Sequence, residues 1–387
     1  VTAVTTAQVA PRTPASATRR PRWIRSAGYD LAVAALWVPF ALAAWGVSGN
    51  EPAVRWLVAA TLTFSVMHQP LTLLLVYGDR RQFAARRTVF VVSPFVLAGL
   101  VVLGLYLSLA LLAVVAATWN AVHTLQQRYG LTRIYGRKAG DSHGNLERML
   151  LYGALTTAVL AAAAAEGTAD KVAAAGLGGA NRRALDLLTD AAPVARVLLP
   201  IAGAFALVAL VRWVLAEHRN ATANPAKWIY VGSTLALIVV IAVNPLVGFV
   251  AYVGAHAAEY FLIVHHHLEG RYRPAAKLGA PTQDLADLRT GPVSTVVRSR
   301  AGRTGFLACY LAGIGAVVAG LAAVGYPYFT LFVLIAGGLH LFYDGLIWKL
   351  RRPEVGRGFG LPGGSPAVGG ASAVGGASAA AAEAPPP

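Results

Sequence analysis

The chain of 387 residues has one cysteine, Cys309, and only 13% Asp, Glu, Lys and Arg. A lone cysteine excludes an intramolecular disulfide framework and any CxxC redox or metal motif. Soluble domains carry about 25% charged residues, so a charge density of half that excludes a single soluble domain of this length. HExxH is absent, which argues against a zincin, and no GxxxxGK[ST] is present, which argues against a P-loop motor. What remains is 56% hydrophobic, with a mean hydropathy of +0.57. The composition reads as an all-α, polytopic integral membrane bundle.

A helix needs about 20 residues to cross the hydrocarbon. Apolar stretches bounded by charge, Pro or Gly place ten spans near 30–47, 54–77, 88–105, 107–127, 149–166, 194–215, 228–244, 246–267, 305–325 and 328–348. Residues 88–127 contain no formal charge and are too long for one span, so they are divided near Gly104. Asn244-Pro245 divides the next uncharged stretch, because proline disfavours helix at the residue before it. Residues 1–28 read as a disordered basic arm, 29–352 as the membrane domain, and 353–387 as a disordered Gly/Ala/Pro-rich tail.

The net charge of +16 tests this division. With ten spans and both termini cytoplasmic, 28 of the 33 Lys and Arg fall on the inner side, leaving Arg55, Lys171, Arg182, Arg183 and Arg196 outside. That asymmetry is the signature of a multi-pass protein of the cytoplasmic (inner) membrane. Divided among loops, the basic excess does not form a nucleic-acid-binding face. The basic inner loops 128–148 and 271–303 serve as topology determinants, and are where anionic headgroups or an electron-donor protein would bind.

Ionisable groups inside spans are costly, and here they gather. His68 lies in the second span, His123 in the fourth, His256 and Glu259 in the eighth, and His340 and Asp344 in the tenth. All four spans run from outside to inside, and the histidines fall at or below the midplane on the inner side. Asn120, His123 and Gln127 form one stripe at helical spacing. Of the triplet His265, His266 and His267, the last two lie close to the face of His256 and Glu259, whereas His265 points away. Pro70 in the sequence MHQP is expected to kink the helix at His68 and free the Val66 carbonyl.

A single histidine in a span commonly does no more than bond two helices together. Imidazoles from four helices, joined by two carboxylates, instead have the chemistry of a bound transition metal. The expected ligands are drawn from His68, His123, His256, Glu259, His266, His267, His340 and Asp344. Asn120 and Gln127 would orient them, and Glu259, Asp344 and Tyr343 would act in catalysis. The leading expectation is a non-haem iron oxidoreductase taking an apolar small molecule from the lipid bilayer. Zinc hydrolysis, haem ligation by paired histidines and proton-coupled transport are the alternatives.

The segments WNAVHTLQQRYGLTRIYGRKAG, HAAEYFLIVHHHLEGRYR and GLHLFYDGLIWKLRRPEVG carry these residues. The HHH triplet with its further histidines resembles the histidine-rich membrane desaturases and hydroxylases, which use a non-haem di-iron centre at the cytosolic face. That class carries HxxxH and HxxHH boxes in or beside loops, whereas this chain has single histidines within spans. One histidine on each of several helices is also similar to membrane carotene-cleaving dioxygenases and ceramidase-like zinc hydrolases, although no stretch matches either.

Overall fold

A computed structural model describes residues 23–361, except 142, 178–181, 221–222, 273–290 and 351. Among the described residues there is no strand. Ten helices are long and apolar enough to cross a membrane: α1 (Ala27–Val47), α2 (Glu51–Tyr77), α3 (Arg87–Leu107), α4 (Leu109–Ala139), α5 (Gly144–Ala164), α6 (Arg182–His218), α7 (Pro225–Val243), α8 (Pro245–Arg271), α9 (Arg300–Val324) and α10 (Pro327–Ile347). They correspond one to one, and in order, with the ten stretches read from the sequence. By length and composition the chain is a multi-pass membrane protein.

Most starts are set by short polar side chains whose oxygens satisfy otherwise unpaired N–H groups. Ser108 separates α3 from α4 by accepting from the Leu111 N–H at 3.2 Å, four residues beyond the expected break at Gly104. Asn244 accepts from Val247 at 3.2 Å, and Pro245 fills the first helical position of α8, where no N–H is needed. Asn224 and Pro225 start α7 in the same way.

Three boundaries differ from expectation for identifiable reasons. Helix α4 continues past residue 127 to Ala139 and stops at Gly140, whose φ of 77° suits glycine. The helix can continue because the first charge it meets, Arg128, has a buried partner and does not need water. In α2 the helix is interrupted at Gln69-Pro70, as the proline requires, but the Val66 carbonyl is not free. A tightened turn gives it the Gln69 N–H at 3.3 Å. From residue 353 to 361 the chain is folded: Pro353–Gly358 is a short helix packed on α8, and Phe359 and Leu361 are buried. The Gly/Ala repeats of the tail and most of the basic arm lie outside the described residues.

Helix α8 is the hub, buried on nearly all sides. It packs against α1, α2, α4, α7 and α9. A Cβ at Gly254 would lie 2.4 Å from the Phe40 ring, so the close approach of α1 depends on glycine there. At one end of the bundle Tyr29, Ile134, Tyr230, Ile263, Trp348 and Phe359 pack together. That contact joins the start of α1, the ends of α4, α8 and α10, and the start of α7. It is the end that carries the basic connections.

Candidate metal centre

Four helices each contribute one imidazole to a single buried cluster. His68 sits at the α2 break, His123 on α4, His256 on the hub helix and His340 on α10, all at most 5% exposed. The rings form a closed circuit of edge-to-face contacts. Centroids are 4.7 Å apart for His68–His256, 4.7 Å for His68–His340, 4.8 Å for His123–His340 and 5.1 Å for His123–His256. His340 Nε2 lies 3.2 Å from His68 Nε2 and 3.1 Å from His123 Nε2. Asp344, one turn after His340, has a carboxylate oxygen 3.8 Å from Nε2 of both His123 and His340.

Proton accounting makes this cluster a site that could hold a metal ion. Thr72 Oγ1 lies 2.7 Å from His340 Nδ1 and donates to Asp344 Oδ1 at 2.9 Å. Thr72 Oγ1 also lies 2.5 Å from the Tyr260 hydroxyl, so its one proton goes to Asp344 or to Tyr260. Either way Thr72 accepts from His340 Nδ1–H, which leaves a lone pair on His340 Nε2. Two further Nε2 atoms face that one lone pair, and a neutral imidazole nitrogen cannot satisfy both. Neither nitrogen of His256 has a hydrogen-bond partner among the described residues, an expensive state for a buried imidazole. A cation bound by the lone pairs removes both difficulties. With metal–nitrogen bonds of about 2.1 Å, nitrogens at these separations subtend about 95–100° at a shared ion, an ordinary ligand angle. His68, His256 and His340 form one metal-capable triad, and His123, His340 and Asp344 a second that shares His340.

The remaining sequence candidates lie elsewhere, each for a clear reason. Glu259 is not in either triad; it forms a fully buried ion pair with Arg128. Gln127 serves that pair, donating to Glu259 Oε2 at 3.2 Å and, at 3.4 Å, to the His256 carbonyl. Tyr343, expected to act at the site, instead bonds to Tyr77 at 2.8 Å and Ser93 at 3.0 Å, on the side facing α3. His266 and His267 lie at the basic end among aromatic rings. His267 is 4.9 Å from Trp348 and 5.6 Å from Phe359 between centroids, and His266 is 6.1 Å from Tyr29. Asn120 is half-buried, one turn from His123.

Two residues at the centre went unnoticed in the sequence: Thr72, and Tyr260, whose hydroxyl donates to Asp344 Oδ1 at 3.0 Å. Each stands four residues after a ligand-bearing histidine, His68 and His256, so helical spacing was the available signal.

The chain matches no family model, no curated protein and no solved structure. The chemistry therefore rests on the geometry alone.

Each triad offers three protein ligands, the number that catalytic zinc keeps beside a water. A six-coordinate metal would keep open positions. Asp344, held by Thr72 and Tyr260, is itself a candidate ligand in the second triad.

A second polar cluster near the basic end has a different composition. Asp141, Glu147 and Glu217 are also close enough together to hold a cation, but the Lys227 ammonium already bonds all three. Arg133 adds bonds to Asp141 at 3.0 Å and Glu147 at 2.6 Å. Burial pushes the Asp141 carboxyl up, but Lys227 and Arg133 outweigh it and hold the group below the usual carboxylate range. Residues read as loop charges from the sequence thus tie α5, α6 and α7 to the end of α4.

Proposed function

We propose that the chain is a membrane-embedded, metal-dependent oxidoreductase of the non-haem iron type. It acts on an apolar, lipid-like substrate in the half of the membrane next to its basic end. The positive-inside rule assigns that end to the cytoplasm, and the protein to the cytoplasmic membrane. A soluble electron donor, if the reaction needs one, would approach the basic connections there.

One observation carries the reading: the Nε2 atoms of His68 and His123 converge on His340 Nε2, at 3.2 and 3.1 Å, within a buried cluster of four imidazoles. His68, His123, His256 and His340 are the proposed ligands. Imidazole suits iron, zinc and copper alike, and a metal that accepts more than four ligands keeps room for dioxygen beside a triad. Iron supplies the redox chemistry when bound. Thr72 fixes the His340 ring, and Asp344, close to two ligand nitrogens, is the candidate for holding or moving a proton. Glu259 and Tyr343 have structural roles in this reading.

Purified protein loaded anaerobically with ferrous iron tests it. About one ion per chain, giving a paramagnetic adduct with nitric oxide, is the expected result, because such an adduct requires an open position on iron. Protein that takes up zinc but neither iron nor nitric oxide would favour the hydrolase. Protein that binds no transition metal would end the proposal.

A further inference from the structure

Beside the four imidazoles is a cavity of about 210 Å³, with His123 and Asp344 in its wall. Its other walls are mainly Leu131, Ile134, Ile263, Trp348 and Phe359. Among the polar groups it meets, the Tyr260 hydroxyl is engaged on Asp344 and the Gln127 amide on Glu259, while Gln126 stands exposed at its edge. The cavity wall is therefore mainly apolar, apart from the candidate ligands it reaches.

Its edge lies between α4 and α10. Gln126 and Gly345 line the cavity and are exposed, and Gly130 lines it while half-buried. All three lie toward the basic ends of helices long and apolar enough to cross a membrane, and in this reading the exposed edge meets lipid there. Nothing lies within 4 Å of where a Cβ would stand at Gly130 or Gly345. A side chain at either glycine would therefore stand in open space at the edge of the cavity, where only a bulky one would obstruct the way to the metal-capable residues.

We infer that this open edge is a lateral slot through which a linear hydrocarbon chain, saturated or polyene, passes from the bilayer to the metal. The inference rests on the metal-centre reading above and adds the substrate's shape and route. An apolar cavity of about 150 Å³ takes up benzene. One of about 210 Å³ therefore admits a segment of chain only a little larger. A fused-ring sterol nucleus does not fit, and the remainder of a long chain stays in lipid.

The test uses the full chain loaded with cobalt(II), whose visible spectrum reports ligand binding, titrated with 1-alkylimidazoles from methyl to octyl. Wild type is compared with Gly345→Leu and, independently, with Gly130→Leu. Partition of the probe into detergent is common to all three and cancels in the ratio of affinities. Methylimidazole should bind all three alike. For longer chains the ratio of wild type to variant should grow by up to about fourfold per methylene, the value of burying one CH₂, until the slot is full. A tenfold or greater ratio at hexyl in either variant supports the slot, as does a sterol-tethered imidazole that gains nothing over methylimidazole in wild type. A ratio within twofold at every length in both variants, or no spectral response to any imidazole in wild type, overturns it. If wild type binds no cobalt, the metal-centre reading fails, and the slot with it; intact cobalt binding with a flat ratio sinks the slot alone.

Discussion

Replacing Arg128 with methionine removes one member of an ion pair whose side chains are both 0% exposed. The Glu259 carboxylate would keep only Gln127, at 3.2 Å, and the Tyr230 hydroxyl, at 3.5 Å, the outer limit of a hydrogen bond. Thr234, which accepts from Arg128 at 3.3 Å, loses its donor as well. Stranding one buried charge costs about 3–5 kcal/mol, far more than the pair gains over an uncharged replacement. Arg128→Met should therefore lose about 3–5 kcal/mol in equilibrium SDS unfolding from mixed micelles, whereas Arg128→Met combined with Glu259→Gln should recover most of it. The pair also bears on the metal. Glu259 is three residues from His256 on α8, so a carboxylate moving in search of water would tilt that imidazole. Metal affinity should fall in Arg128→Met and return in the double variant. The reasoning is refuted if Arg128→Met costs under about 1 kcal/mol, below the range for a broken buried pair. It also fails if Glu259→Gln alone strips the metal while Arg128→Met retains it, since Glu259 would then be a ligand.

Thr72→Val should remove the bond that fixes His340 and lower metal affinity by about 10–100-fold, as loss of such outer contacts does. Thr72→Ser should restore it, and competitive chelator titration distinguishes the two. Asp79, at the end of α2, is pushed up by burial but pulled further down by Arg271, the Tyr272 hydroxyl and the Gln82 N–H, so its carboxyl lies below the usual range. A carboxyl depressed in the folded state contributes fully above its unfolded value, about pH 4, and its contribution is lost as pH falls through the folded value. The thermal midpoint of wild type should therefore drop on acidification below about pH 4. Asp79→Asn should start lower at neutral pH and lose less on the same descent; parallel curves would count against the argument. Lys227→Met should cost about 3–5 kcal/mol by leaving Asp141, Glu147 and Glu217 with too little positive charge. Millimolar calcium should restore part of the thermal midpoint in that variant alone, since calcium accepts carboxylate oxygens. An equal shift in wild type would mean the ion acts elsewhere.

Much of the architecture was legible in the sequence because the bilayer imposes a strong constraint. Ten apolar stretches, cut by Asn-Pro pairs and basic clusters, became ten helices in the same order. The four histidines were legible too, since an imidazole in a span stands out against its surroundings. Partner choice was harder to read. Glu259 and Asp344 look equivalent along the chain, one beside His256 and the other beside His340, yet one faces Arg128 and the other faces the imidazoles. Arg128 was read as the first residue of a loop because charge ordinarily marks a membrane boundary. Only the packing of α4 on α8 shows that it is held inside. The HHH triplet was misread because proximity along the chain imitates a ligand cluster, while Trp348 and Phe359, which pack against His267, lie some 80 to 90 residues later. Neutral hydroxyls such as Thr72 and Tyr260 do not stand out in composition, and along the chain only their spacing of four from His68 and His256 marks them.

The central claim is that imidazoles from four helices make up one metal centre, built on two triads that share His340. Equilibrium titration of ferrous iron or cobalt into wild type, and into His68→Ala, His123→Ala, His256→Ala and His340→Ala, tests it most directly, with His266→Ala as the control from outside the cluster. The account predicts about one ion per chain in wild type and in His266→Ala, with a loss of at least tenfold in affinity in each of the other four. Undiminished binding in all four, or a loss confined to His266→Ala, would contradict it.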